Sequence, residues 1–188
     1  MAIQLQRRRF TVDEYYKMAD IGILTEDDPI ELIDGEILVM APHSPRHFSS
    51  DLRLTNRVLL CLLLSDRTVV SIHNPLRIDV YNEPMPDIAL LHPRKDFYAA
   101  GHPTPTTTFL VIEVADSTLS YERHIKVPLY ARAGIPEVWV VDLVARRVEV
   151  YRSPSPEGYR DIRIANPGDR LTPVAFPDVS LAVEEMLA

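Results

Sequence analysis

The sequence predicts an α/β fold with a central mixed β-sheet flanked by helices, as a single domain over 1–188. Three observations predict it. FLVIEVA (109–115) is almost continuously apolar, as a strand covered on both faces must be. A second buried strand, EVWVVDL (137–143), follows it across a helical stretch. Apolar residues Phe48, Leu52, Leu59, Leu62 and Leu63 recur at helical spacing over 45–64, which makes that segment a long amphipathic helix.

Each element has its own signal. Thr11 with Glu14 forms a capping box, so Val12 to Ala19 is a short helix. Asp34-Gly35 sits between two apolar segments, the pattern of a two-residue hairpin turn joining strands 30–33 and 36–40. Ser44-Pro45 is a helix start, a capping hydroxyl followed by proline at the first helical position. TVVSI (68–72), LRIDV (76–80) and IALL after Pro86-Asp87 read as three strands, and 92–107 reads as a loop. Residues 119–133 read as a helix ending at Gly134, kinked or split by Pro128. RVEVYRS (147–153) and YRDIRIA (159–165) form a hairpin through a proline-glycine turn, and VSLAVEEML closes the chain with a turn or two of helix.

Composition narrows the function. The chain has 188 residues, 46% hydrophobic and 25% charged, which excludes a disordered or fibrous protein. Twenty basic against 27 acidic residues give a net charge of −7, which argues against a protein that coats nucleic acid non-specifically. It leaves room for a nuclease, whose site needs only a local basic path around a cluster of acids. Cys61 is the sole cysteine, so no intrachain disulfide or cysteine zinc site can form, in keeping with a reducing, cytoplasmic compartment. MAIQLQRRRF lacks the apolar stretch of a signal peptide, and no apolar run is long enough to span a membrane.

The chemistry lies in acids placed where a core strand would not hold them. Glu113 interrupts FLVIEVA, and an unpaired charge there would cost several kcal/mol, so it must meet a metal, a cation or a solvent-filled cleft. Asp87 precedes an apolar run, Glu31 lies in a hairpin strand, and Lys126 follows Glu113 in the next helix. Three carboxylates and a lysine suit metal-assisted phosphodiester hydrolysis. Mg²⁺ or Mn²⁺ takes oxygen ligands, acidifies its water and stabilises charge on the phosphate, and the lysine orients that water.

The set ELIDGEI, Pro86-Asp87, LVIEVADST and YERHIKVPLYARAGIPEVWVVDL resembles the Uma-two family of restriction-endonuclease-like proteins, in the PD-(D/E)XK nuclease superfamily. The resemblance runs from about Asp13 to Leu187. It implies a restriction-endonuclease-like fold and a nucleic-acid substrate, foremost DNA. By superfamily analogy it also implies a homodimer. Asp87 matches the Asp of the Pro-Asp element and Glu113 the second metal-binding acid. The superfamily lysine would stand at Ala115, whereas the Uma-two pattern places it in the following helix, here Lys126. Glu31 matches a glutamate before the Asp-Gly turn, Glu122 stands where the family shows an aspartate, and His47 matches a histidine early in the long helix.

The implied site therefore has Asp87 and Glu113 holding Mg²⁺ with the backbone carbonyl of Val114, Lys126 positioning water, and Glu31 completing the acidic pocket. Asp87, Glu113 and Lys126 should converge, and burial with mutual repulsion should raise the pKa of at least one acid. Plainer readings stand beside these. Glu113 could pair with an arginine, Glu122 and Lys126 could form a surface salt bridge, and Tyr130 could be core packing. His43 and His47 have a metal-binding spacing, but Ser44-Pro45 puts His43 outside the helix and leaves His47 alone near the cleft. Ser117 and Thr118 read as helix caps and Trp139 as core. The rival to a nuclease is a catalytically silent module for nucleic-acid or protein binding, and a weaker third reading is hydrolysis of a non-nucleic phosphoester.

Overall fold

The structure, a computed structural model, describes residues 7–25, 27–62 and 66–187. They fall into two compact units. The first comprises the chain to Pro42 together with Arg77–Pro84; the second comprises His43–Leu76 and everything from Met85 onward.

In the first unit, α1 (Val12–Asp20) begins with the expected capping box. Thr11 Oγ1 accepts from the Glu14 amide at 3.2 Å, and the Glu14 carboxylate accepts from the Thr11 amide at 3.0 Å. Strands β1 (Ile30–Ile33) and β2 (Glu36–Val39) pair antiparallel with Ile33 opposite Glu36. Asp34 and Gly35 form the two-residue turn, with φ of 52° and 73°. Gly35 is required for a second reason, because a Cβ there would stand 2.6 Å from Arg9 Cβ.

The strand expected over 76–80 does not form. The chain folds back on Asn82, whose carbonyl accepts from Ile78 at 3.0 Å and Asp79 at 3.3 Å. The Asp79 side chain accepts from the Tyr81 amide at 2.7 Å, and the Val80 carbonyl is taken by the Val12 amide. A backbone with its bonds committed to a side-chain turn has none left for a ladder. Only an isolated bridge from Glu83 to Leu32 remains.

The second unit carries the predicted mixed sheet. Its strands are β3 (Val69–Ile72), β4 (Ile88–Leu91), β5 (Thr108–Ala115), β6 (Glu137–Asp142), β7 (Arg147–Ser155) and β8 (Gly158–Ala165), lying in that order. All neighbours are antiparallel except β5 and β6. The β7–β8 turn is Pro156-Glu157 rather than proline-glycine, since Ser155 already pairs with Gly158. Along β5 the side chains alternate between two faces. Leu110, Ile112 and Val114 join Trp139, Val141, Val148 and Val150 in the apolar core, with Leu54 and the C-terminal residues Val183 and Met186. Val111, Glu113 and Ala115 take the other face.

Helix α2 (Pro45–Leu62) lies where expected, up to residue 62; residues 63 and 64 are outside the described range. Of the apolar residues expected on its buried face, Phe48 and Leu52 do not lie there, and the side chains of Leu59 and Leu62 are outside the described ones. Phe48 and Leu52 are 59% and 47% exposed, whereas His47, Ser50, Asp51 and Leu54 are buried. The expected helix over 119–133 is interrupted. It consists of α3 (Leu119–Tyr121), a π-helical turn Glu122–Lys126 and α4 (Val127–Arg132). The Val127 amide bonds to the Glu122 carbonyl, one residue further back than in an α-helix, and Pro128 follows with no amide to give. Two short strands, β9 (Arg170–Leu171) and β10 (Leu181–Ala182), pair before α5 (Val183–Met186) ends the chain. No described helix is long and apolar enough to cross a membrane.

Candidate active site

Asp87 directly precedes β4, and Glu113 lies within β5. Ile88 stands opposite Ile112 in the antiparallel ladder, so one further step sets Asp87 against Glu113. The Asp87 amide points at Glu113 Oε2 from 3.5 Å. Asp87 Oδ2 accepts from the Val114 amide at 2.6 Å, and Oδ1 stands 3.2 Å from His47 Nε2. The expected convergence of the two acids is therefore a matter of register: one strand-to-strand step holds both carboxylates at the same end of the sheet.

Lys126 reaches the pair from the interrupted helix. Its ammonium donates to Glu113 Oε2 at 3.2 Å and stands 3.2 Å from Oε1. It also lies 3.4 Å from the Met85 carbonyl and 4.0 Å from Glu122. Glu122 and Lys126 are both buried, so their pairing is not the solvated surface bridge that four-residue spacing suggests. Tyr130 lies four residues after Lys126, and its hydroxyl donates to Glu113 Oε1 at 2.6 Å. The plain core-packing reading of Tyr130 is thus incomplete, because the ring packs while the hydroxyl engages the acid. Glu113 is paired with a lysine, not with an arginine.

Glu113 is only 1% exposed, and burial pushes its carboxyl well above the usual range. Lys126 pulls against that rise, Glu122 and Asp87 add to it, and the Tyr130 hydroxyl opposes it.

A second group of side chains meets Asp87 from α2 and the end of β3. His47 lies 3.3 Å from Asp51 Oδ2, and His73 Nε2 lies at the same distance from that oxygen. His73 Nδ1 stands 3.6 Å from Asp87 Oδ1. The ring of His43 stacks on that of His47 at 4.1 Å and lies 4.9 Å from that of His73. Burial would lower the His47 pKa, but Asp51 and Asp87 outweigh it and raise it to about 10. Burial likewise opposes ionisation of Asp51, and the two histidines beside it hold its carboxyl below the usual range.

Sequence reasoning misses Asp51 and His73. Asp51 follows His47 by four, a spacing that is visible, but an aspartate in an amphipathic helix reads as part of its solvated face. His73 joins only through tertiary structure. Glu31 lies buried in β1 of the first unit, next to Leu32, which bridges to Glu83. Val114 takes part through its amide, which anchors Asp87.

A mixed sheet carrying two facing acids, with a lysine beside one of them, is the arrangement of a restriction-endonuclease-like protein. The chain belongs to the Uma2 family, described as "Putative restriction endonuclease", whose pattern matches residues 12–184. Its fold is similar to that of a solved structure from Anabaena variabilis described as a "putative nuclease belonging to DUF820". The TM-score is 0.73 at 17% identity, covering 94% of this chain and 97% of that one. No curated protein matches the chain.

Proposed function

We propose that the protein is a divalent-metal-dependent endonuclease that hydrolyses phosphodiester bonds of nucleic acid, DNA foremost. One observation carries the reading: Lys126 spans both oxygens of Glu113, while Asp87 faces that acid one ladder step away. The donor set fits a hard ion, since Asp87 and Glu113 offer carboxylate oxygens and the Val114 carbonyl is a third oxygen in the same reading. Such an ion, when bound, lowers the pKa of a water and offsets charge building on the phosphate. Lys126 orients the attacking water or the phosphate and offsets negative charge beside Glu113. Tyr130 fixes the Glu113 rotamer, and the Val114 amide fixes Asp87. Glu31 contributes a further carboxylate to the reaction in this reading. A homodimer in the cytoplasm accords with it.

The test is cleavage of single- and double-stranded DNA and RNA with Mg²⁺ or Mn²⁺. Glu113→Gln should lower cleavage by at least about a hundredfold, and Glu31→Gln by a smaller factor. A second reading is a catalytically silent module. It is favoured by the protein donors already engaging both oxygens of Glu113. In that case no substrate is cut with either ion, and Mn²⁺ fails to raise the melting temperature of the wild type above that of Asp87→Ala.

A further inference from the structure

We infer that His43, His47 and Asp51 bind a divalent first-row transition-metal ion of the zinc type, at a site that adjoins Asp87 through His47 but does not include Glu113. The three offer ligand atoms that all lie within 4.8 Å of one another. They follow one another at four-residue intervals. His47 and Asp51 occupy successive turns of α2, and His43 stands two residues before its start. His47 Nε2 and Asp51 Oδ2 are 3.3 Å apart, the edge that two ligands share around a tetrahedral ion at about 2.0–2.1 Å from each.

Asp51 supplies the independent observation. It is 5% exposed, and neither carboxylate oxygen has a hydrogen-bond partner among the described residues. The imidazoles of His47 and His73 stand 3.3 Å from Oδ2 but outside hydrogen-bonding geometry. A buried carboxylate without hydrogen bonds is costly unless a cation meets it, either the protonated imidazole of His47 at 3.3 Å or a metal ion that replaces that proton. The N-terminus of α2 is pinned in a way that holds His43 over this site. Ser44 Oγ donates to Asp116 at 2.5 Å and accepts from the His47 amide at 3.1 Å. His73 stands ready beside Asp51 as a further nitrogen ligand.

Imidazole nitrogens with one carboxylate suit Zn²⁺, Co²⁺ or Ni²⁺, whereas Mg²⁺ takes oxygens. The inference does not rest on nuclease activity. A protein that cuts nothing can hold this ion, and a nuclease can lack it.

The test adds Co²⁺ to the metal-stripped protein and reads its visible absorption bands, with Zn²⁺ affinity measured by calorimetry. One ion should bind with micromolar or tighter affinity. Asp51→Asn and His43→Ala should each weaken it by about tenfold or more. Glu113→Gln should leave it unchanged, while the same variant reports on the nuclease reading through Mg²⁺-dependent cleavage. His43 is exposed, so its replacement keeps the test valid if Asp51→Asn fails to fold. Absence of cobalt bands, or binding that survives His43→Ala but is lost in Glu113→Gln, would overturn the inference.

Discussion

Replacing Tyr130 by phenylalanine removes one oxygen and keeps the ring. The hydroxyl donates at 2.6 Å to a carboxylate that is 1% exposed, and Tyr130 itself is fully buried. Water therefore cannot replace the lost donor. At a pH where the pairing with Lys126 keeps Glu113 ionised, a hydrogen bond to it contributes about 1.5–3 kcal/mol. Lys126 still stands 3.2 Å from the same Oε1, so part of the compensation survives and the expected loss is about 2 kcal/mol. For a chain of this length that lowers Tm by about 4–8 °C. The assay is urea denaturation with the slope held common to both proteins, repeated in a Glu113→Gln background. There the same change should cost about half as much, because the acceptor is neutral. A loss below about 0.5 kcal/mol in the wild-type background would refute the reasoning and return Tyr130 to plain core packing.

Three further outcomes are expected. Gly35→Ala should destabilise by more than about 1 kcal/mol, because φ is 73° and the new methyl would meet Arg9, and denaturation of the variant measures it. Burial opposes ionisation of Glu149, but Arg123 and the Tyr151 hydroxyl outweigh it and hold its pKa below the ordinary value. A depressed carboxylate stabilises the fold above its unfolded pKa and loses that contribution as pH falls through the folded value. Glu149→Gln should thus lower stability at pH 7 by about 1–3 kcal/mol and flatten the acid limb of a stability–pH curve. Leu54→Ala, in the core, should cost about 2–5 kcal/mol. Phe48→Ser on the same helix should stay within about 0.5 kcal/mol, since that ring is 59% exposed, and paired thermal melts separate the two.

The sheet is legible in the sequence because its central strands are apolar on both faces, so β5 and β6 need no context to be found. The acids are legible for the complementary reason: Glu113 breaks a run that has no other reason to be broken. Asp34-Gly35 is legible because few turns fit two residues. LRIDV misleads because alternation is only permission to pair. Asp79 and Asn82 claim the backbone first, and which claim wins depends on partners elsewhere in the chain. Phe48 and Leu52 mislead likewise, since the sheet end meets α2 through His47 and Asp51 and turns these two residues outward while Leu54 stays in the core. The place of Lys126 in the chain is readable, but the π-helical turn that carries it follows from no local preference.

That turn makes the charge state of Glu113 depend on how firmly a short helix stays docked. A lysine two residues along the same strand could leave only if the sheet itself came apart. Here Lys126 and Tyr130 ride together on a segment of three short pieces, joined where the regular amide ladder is broken. If Leu119–Arg132 opens locally, Glu113 loses its cation and its hydroxyl donor in one event, while Asp87 keeps its anchor on Val114. Hydrogen exchange of the amides in that segment therefore measures how often the two acids face each other alone. Mutations distant from both acids that loosen the segment should change their chemistry without touching them.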